Sequence, residues 1–204
     1  MKTHKHLIAL LIPILLFAFF ESAALPLTGS VIEDTSEKDT IVLKTAQYLK
    51  DRKMGVSEER LKTIANSVYE ESQKHDIDYR LILAVMKVES NFKSEAISRK
   101  GARGLLQIKP ALARYIAKDV GVQVKGTDTL HEPEKNIKIG VNYLSKLIDM
   151  FENISSALHA YNVGPGKVKK PGANDDVPGT HFTKKVMTEY QQIIEVLPDP
   201  EEQP

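Results

Sequence analysis

An all-α domain is predicted for this chain, on three observations. Apolar residues recur at i, i+3, i+4 and i+7 in successive segments, helix-starting and helix-stopping residues bracket those segments, and no stretch alternates apolar with polar as a half-buried strand would. The chain has 204 residues, of which 42% are hydrophobic. That is enough for one domain with a real core plus a short leader and tails.

Residues 1–24 read as an export signal. Lys2 and Lys5 precede an apolar stretch from Leu7 to Phe20, and Ser22-Ala23-Ala24 offers small residues for cleavage. Cleavage after Ala24 is expected; the alternative is an uncleaved anchor, for which the stretch is short against the roughly 20 residues that span a bilayer. An exported protein in the periplasm or cell envelope follows, with membrane attachment only if the segment stays. Residues 25–56 are expected to hold a linker, from Leu25 to Lys38, and a short helix, from Ile41 to Arg52, either packed on the domain or acting as a spacer. The domain proper is placed at residues 57–197. Ser57 is its first N-cap, with Glu58 and Glu59 in the dipole-favoured first turn and Leu61, Ile64, Ala65 and Val68 as the inner stripe. Asp78 caps the next helix.

After a glycine-bearing loop, Pro110 starts a helix whose inner face is Leu112, Tyr115 and Ile116 and whose stop is Gly121. Pro133 starts another, with Ile137, Gly140, Val141, Leu144, Leu147, Ile148 and Phe151 on one stripe, Gly140 permitting a close approach. Ile154 to Asn162 forms a short helix ended by Gly164-Pro165-Gly166. A last helix, Thr180 to Leu197, turns Val186, Tyr190, Ile193 and Ile194 inward, and residues 198–204 form a disordered tail.

The chemistry concentrates at Glu89. It ends a run of buried-type residues, and Ile82, Val85 and Met86 stand seven, four and three positions before it on the same helix face. A carboxyl group in apolar surroundings holds its proton to higher pH, which is what a general acid needs. Gly101 and Gly104 let the following segment fold back beside the helix end, carrying Ser90, Asn91, Ser98 and Gln107.

Three ordered blocks carry a resemblance. Glu89-Ser90-x-Phe92, then Ala96-x-Ser98, then Gly101-Ala102-x-Gly104-Leu105-x-Gln107-Ile108-x-Pro110 resembles the catalytic signature of the soluble lytic transglycosylase (SLT) domain, a lysozyme-like family. Asn136-Ile137-x-x-Gly140-x-x-Tyr143-Leu144 and Ala157-x-x-Ala160-Tyr161-Asn162-x-Gly164-Pro165-Gly166 are similar to the second and third blocks of that family. The match runs from about residue 60 to 195. It implies a lysozyme-like arrangement of helices around the one bearing a catalytic Glu89, and cleavage of peptidoglycan between N-acetylmuramic acid and N-acetylglucosamine with a 1,6-anhydromuramoyl product. Glu89 would serve as acid and then base. Ser98 and Gln107 would hydrogen-bond the acetamido group and sugar chain, and Tyr161 and Asn162 would line the cleft. One departure is noted: Phe182 stands where relatives often carry a tyrosine near the start of the last helix, which removes one possible partner of Glu89.

Lys plus Arg number 28 and Asp plus Glu 27, and loss of the leader leaves 26 of each, unlike the marked basic excess of a nucleic-acid binder. The chain has no cysteine, so neither a disulfide framework nor a lipidated cysteine is available. His75, His131, His159 and His181 are scattered, and neither metal nor cofactor is expected. Lys167, Lys169 and Lys170 are read as a solvated cluster rather than a contact for acidic peptide stems. Glu95, Asp119, Asp128, Asp175 and Asp176 are read as surface charges rather than a second catalytic acid. Peptidoglycan glycan strands are the expected partner and a monomer the expected state. A hydrolase resembling goose-type lysozyme and a non-catalytic peptidoglycan-binding envelope module remain as alternatives.

Overall fold

The computed structural model describes residues 29–169 and 179–200. The expected leader, Lys170, Asp175, Asp176 and residues 201–204 lie outside the described residues. Seven α-helices follow one another among those described: α1 Gly29–Asp51, α2 Glu58–His75, α3 Tyr79–Ser90, α4 Pro110–Ile116, α5 Pro133–Phe151, α6 Ile154–Val163 and α7 His181–Ile194. Short 3-10 turns occupy Thr127–His131 and Pro165–Lys167. Extended pairing among the described residues is limited to two isolated bridges, Ile97 with Arg103 and Arg103 with Ile108. No described helix is long and apolar enough to cross a membrane.

The organising element is α3. Every residue from Tyr79 to Met86 is buried, and a helix that is apolar all round belongs in the interior. Against it pack α7 and α2, while α5 lies on α2 and α6 on α5. The expected caps are in place. Ser57 Oγ accepts the Arg60 N–H at the start of α2, and the Asp78 carboxylate accepts the Arg80 N–H at the start of α3. Each such cap contributes about 1 kcal/mol. Gly140 acts as predicted: a Cβ there would lie 2.5 Å from Leu106 Cδ1, so only glycine lets α5 come this close to the loop before α4.

The structure corrects the expectations in five places, the last of them in the tail. The segment expected as a linker to Lys38 is helical from Gly29, and α1 packs on α2 through Ile41, Thr45, Ala46, Tyr48 and Leu49. The physical reason is propagation: once this buried face nucleates the helix, each preceding residue joins for one further hydrogen bond, whatever its polarity. Tyr115 faces solvent, with 74% of its surface exposed, and Ala113 and Ile116 are the buried residues of α4. That helix is only seven residues long, and the chain turns before reaching Gly121. The last helix ends at Ile194, three residues short of Leu197.

The beginning of the expected tail is held, not frayed. Tyr79 Oη donates to the Pro198 carbonyl at 2.7 Å, and the buried Arg80 guanidinium bonds both Asp78 and Asp199. Tyr190 on α7 completes the clasp by donating its hydroxyl to Asp78 at 2.7 Å. Asp78 therefore caps α3 and tethers both α7 and the C-terminal segment to it.

Candidate active site

Between α3 and α4 the chain makes a tight double-back stapled by its own polar groups. Asn91 caps α3 in the left-handed region at φ 51°, and Phe92 follows at φ 62° with its side chain in the core. The Ser98 N–H donates to the Ala102 carbonyl, while Arg103 and Ile108 exchange backbone hydrogen bonds at 3.0 and 2.9 Å. Ser98 Oγ accepts the Ala102 N–H at 3.0 Å. Gln107, itself left-handed at φ 48°, donates its side-chain amide to the carbonyls of Ala96 and Gly104.

Asn136 fixes this loop to the helices. Fully buried on α5, it accepts the Leu106 N–H through Oδ1 and donates through Nδ2 to the carbonyls of Arg103 and Leu130. His131 adds a second tie. Arg103 can only donate, so His131 Nε2 accepts from it and the proton resides on Nδ1, which donates to the Ser94 carbonyl at 3.0 Å.

Glu89 sits on the last turn of α3, next to this loop, and lines a cleft of about 590 Å³. Ser98, Gln107, Tyr161 and Asn162 line the same cleft, so the structure brings all five sequence-predicted residues together. Their contacts differ in kind. Tyr161 spends its hydroxyl on the Leu106 carbonyl at 2.8 Å, which makes its ring a fixed wall. Burial pushes its pKa well above the ordinary tyrosine value, with the neighbouring Glu89 charge adding to the effect. Asn162 is exposed at the rim. Tyr143, a motif residue to which the sequence reading gave no role, forms the adjoining wall with its ring centroid 5.5 Å from that of Tyr161. Lys100, Lys109 and Lys167 also line the cleft, and all three are exposed.

Burial pushes the Glu89 carboxyl up to about 7. Ile82, Val85 and Met86, which share its helix face, have no exposed surface, and no described side chain hydrogen-bonds the carboxyl group. Phe182 packs its ring against the core at the start of α7. With burial as the cause, the acid is neutral in slightly acidic solution and ready to release a proton near neutrality.

A carboxyl whose folded pKa exceeds its unfolded value near 4.5 favours the fold fully at low pH, and that contribution is lost as pH rises toward about 7. The loss amounts to about 3 kcal/mol and is complete above the folded pKa. Urea titrations of the wild type and Glu89→Gln at pH 4.5 and pH 8 measure it. The substitution is expected to be nearly neutral at the lower pH and stabilising at the higher; equal differences at both would refute the shift.

One proton-holding carboxyl at the end of a buried helix, facing an aromatic-walled cleft, defines an all-α protein with a single-acid site. The transglycosylase SLT domain family matches residues 66–181, more than half of the chain, and the chain belongs to that family. It is 35% identical over 115 residues to the soluble lytic murein transglycosylase of Salmonella typhimurium, covering 55% of this chain and 18% of that protein. It is 34% identical over 128 residues to the membrane-bound lytic murein transglycosylase C of Shigella sonnei, covering 56% of this chain and 35% of that protein. The chain thus matches well under half the length of these relatives. Among solved structures, lytic transglycosylase Slt of Pseudomonas aeruginosa, an inactive mutant, superposes with a TM-score of 0.58 at 23% identity, over 84% of this chain and 34% of that one. The all-α, lysozyme-like fold is shared.

Proposed function

We propose that this chain is a peptidoglycan lytic transglycosylase of the cell envelope. It cleaves the β-1,4 bond between N-acetylmuramic acid and N-acetylglucosamine and leaves a 1,6-anhydromuramoyl end. The observation that carries the reading is that Glu89 is the only carboxylate among the described residues lining the cleft, and that it holds its proton to about pH 7. Most glycoside hydrolases place a second carboxylate to act as nucleophile or to activate water. A single acid suits a reaction in which the substrate supplies its own nucleophile.

In this reaction Glu89 gives its proton to the glycosidic oxygen as the bond to the muramoyl anomeric carbon breaks. The acetamido group of the same sugar shares the developing positive charge. Glu89, now a carboxylate, takes the proton of the muramoyl six-hydroxyl, whose oxygen closes on the anomeric carbon. The acid is regenerated and no water is consumed. Each proton transfer is worth ~10²–10⁴-fold.

The remaining residues position the sugar. Ser98 Oγ already accepts a backbone N–H, so its own hydroxyl proton is available to an acetamido oxygen. Gln107 has committed its amide N–H groups to the loop, which leaves its oxygen to accept from the glycan. Tyr143 and Tyr161 offer ring faces, and Asn162 offers an amide at the rim.

Mass spectrometry of products from purified sacculi tests the proposal. Anhydromuramoyl ends, lighter by one water than hydrolytic ends, are expected. Reducing ends would assign the site to lysozyme-type hydrolysis, and intact strands would reduce the chain to a binding module.

A further inference from the structure

The chain has no tryptophan, so any flat apolar surface it offers must come from tyrosine or phenylalanine. Among the described residues every such side chain is buried or half-buried except one. Tyr115 on α4 leaves 74% of its surface exposed, and it makes no hydrogen bond or ring contact with any described residue. Other large apolar side chains are exposed as well, Leu43, Ile97 and Val196 among them, but none of these is aromatic. The difference matters for a sugar ligand. A pyranose ring presents a face of C–H bonds with its hydroxyls pointing outward, and an aromatic ring covers that face while leaving the hydroxyls in water.

The position of Tyr115 on α4 ties it to the cleft. Ile108 and Lys109 line the cleft just before the helix begins, and Leu112 lines it from the first turn. Residues three apart on a helix are neighbours, with Cβ atoms about 5–6 Å apart, so Tyr115 stands one turn beyond a wall of the cleft. Each Cα–Cβ bond of a helix also tilts toward the N-terminus, which in α4 is the cleft end. Ala111, four residues before Tyr115 and exposed, adds only a methyl group to this flank and leaves the tyrosine ring uncovered. We propose that Tyr115 is a stacking platform for a sugar unit of the glycan strand that lies outside the cleft, so that strands long enough to run out along α4 are held more tightly than those that end within it. This inference rests on the glycan-cleft reading above and adds strand length as a determinant of substrate choice.

Binding of stem-free glycan strands of graded length to the full-length Glu89→Gln protein tests it, because that variant is expected to leave the strands uncut. Adding Tyr115→Ala should weaken the binding of long strands about fivefold to tenfold, the scale of uncovering one ring face, and should barely change the binding of a single disaccharide repeat. Tyr115→Phe keeps the ring and should bind long strands like the parent. Tyr115→Trp gives the chain its one tryptophan, so its emission reports contact at this position directly. A blue shift on saturation with long strands, absent with the disaccharide, is expected. An alanine effect equal at all lengths or at none, a phenylalanine variant as weak as alanine, or an emission that long strands leave unmoved would each overturn the inference; in the last case the exposed ring is left to some other partner. Failure of the parent to bind any strand would overturn the glycan-cleft reading as well. A length-dependent loss in a protein whose wild type releases no anhydro product would support the inference and remove only the enzymatic reading.

Discussion

Glu89→Gln is expected to lower the release of anhydromuropeptides by about 10⁴-fold or more, since one side chain performs both proton transfers and each is worth ~10²–10⁴-fold. Glutamine keeps the volume and hydrogen-bonding capacity of the neutral acid, so the variant should fold and bind strands like the wild type. The loss must then fall on turnover. Glu89→Asp retains the acid but withdraws it by one methylene, and a displacement near 1 Å can cost about 10²-fold. The ordering wild type, aspartate, glutamine is therefore the signature of a proton donor whose reach matters. The wild-type pH profile supplies an independent check. With the Glu89 carboxyl at about 7, kcat/KM on glycan strands should fall tenfold per unit above that pH. A glutamine variant cutting at the wild-type rate would end the assignment of Glu89 as acid and base.

What could be read from the chain alone was whatever local rules encode. Asp78 and Ser57 are caps in the sequence because short acceptor side chains precede apolar runs, and they are caps in the structure. Glu89 was visible because a charge among Ile82, Val85 and Met86 violates the helix pattern around it, and such violations tend to mark function. Features that depend on several distant segments meeting left no comparable mark. The Arg80–Asp199 contact and the Tyr79 bond to Pro198 are polar ties across more than a hundred residues, with no periodic signal in the tail. The same is true of Lys100, Lys109 and Lys167, which share a place only after folding. Tyr115 departs from its pattern: three apolar side chains at helical spacing predict one inner face. On a helix of seven residues, Ala113 and Ile116 suffice to anchor it, and the tyrosine is left outside.

Gly101 and Gly104 look interchangeable in the sequence, and their backbones are nearly so, at φ +76° and +77°. Their surroundings differ completely. A Cβ on Gly101 meets nothing within 4 Å, whereas one on Gly104 would lie 2.1 Å from the Leu130 carbonyl oxygen and 2.3 Å from Asn136 Nδ2. Those two atoms belong to one 2.9 Å hydrogen bond, and Asn136 also holds Arg103 and Leu106. Gly101→Ala therefore carries only the left-handed backbone penalty of about 1–2 kcal/mol. Gly104→Ala carries the same penalty and forces Asn136 aside, leaving buried polar groups unpaired at about 1–3 kcal/mol each. A total near 5 kcal/mol is expected, comparable with the whole stability of a small domain. Urea unfolding of the two variants measures the difference directly. Any Gly104→Ala protein that still folds should also lose activity, because Ser98 and Gln107 are held by the loop that Asn136 anchors. Equal destabilisation by the two alanines would mean that the Asn136 staple yields freely. The positions of Ser98 and Gln107 beside Glu89 would then owe little to that staple.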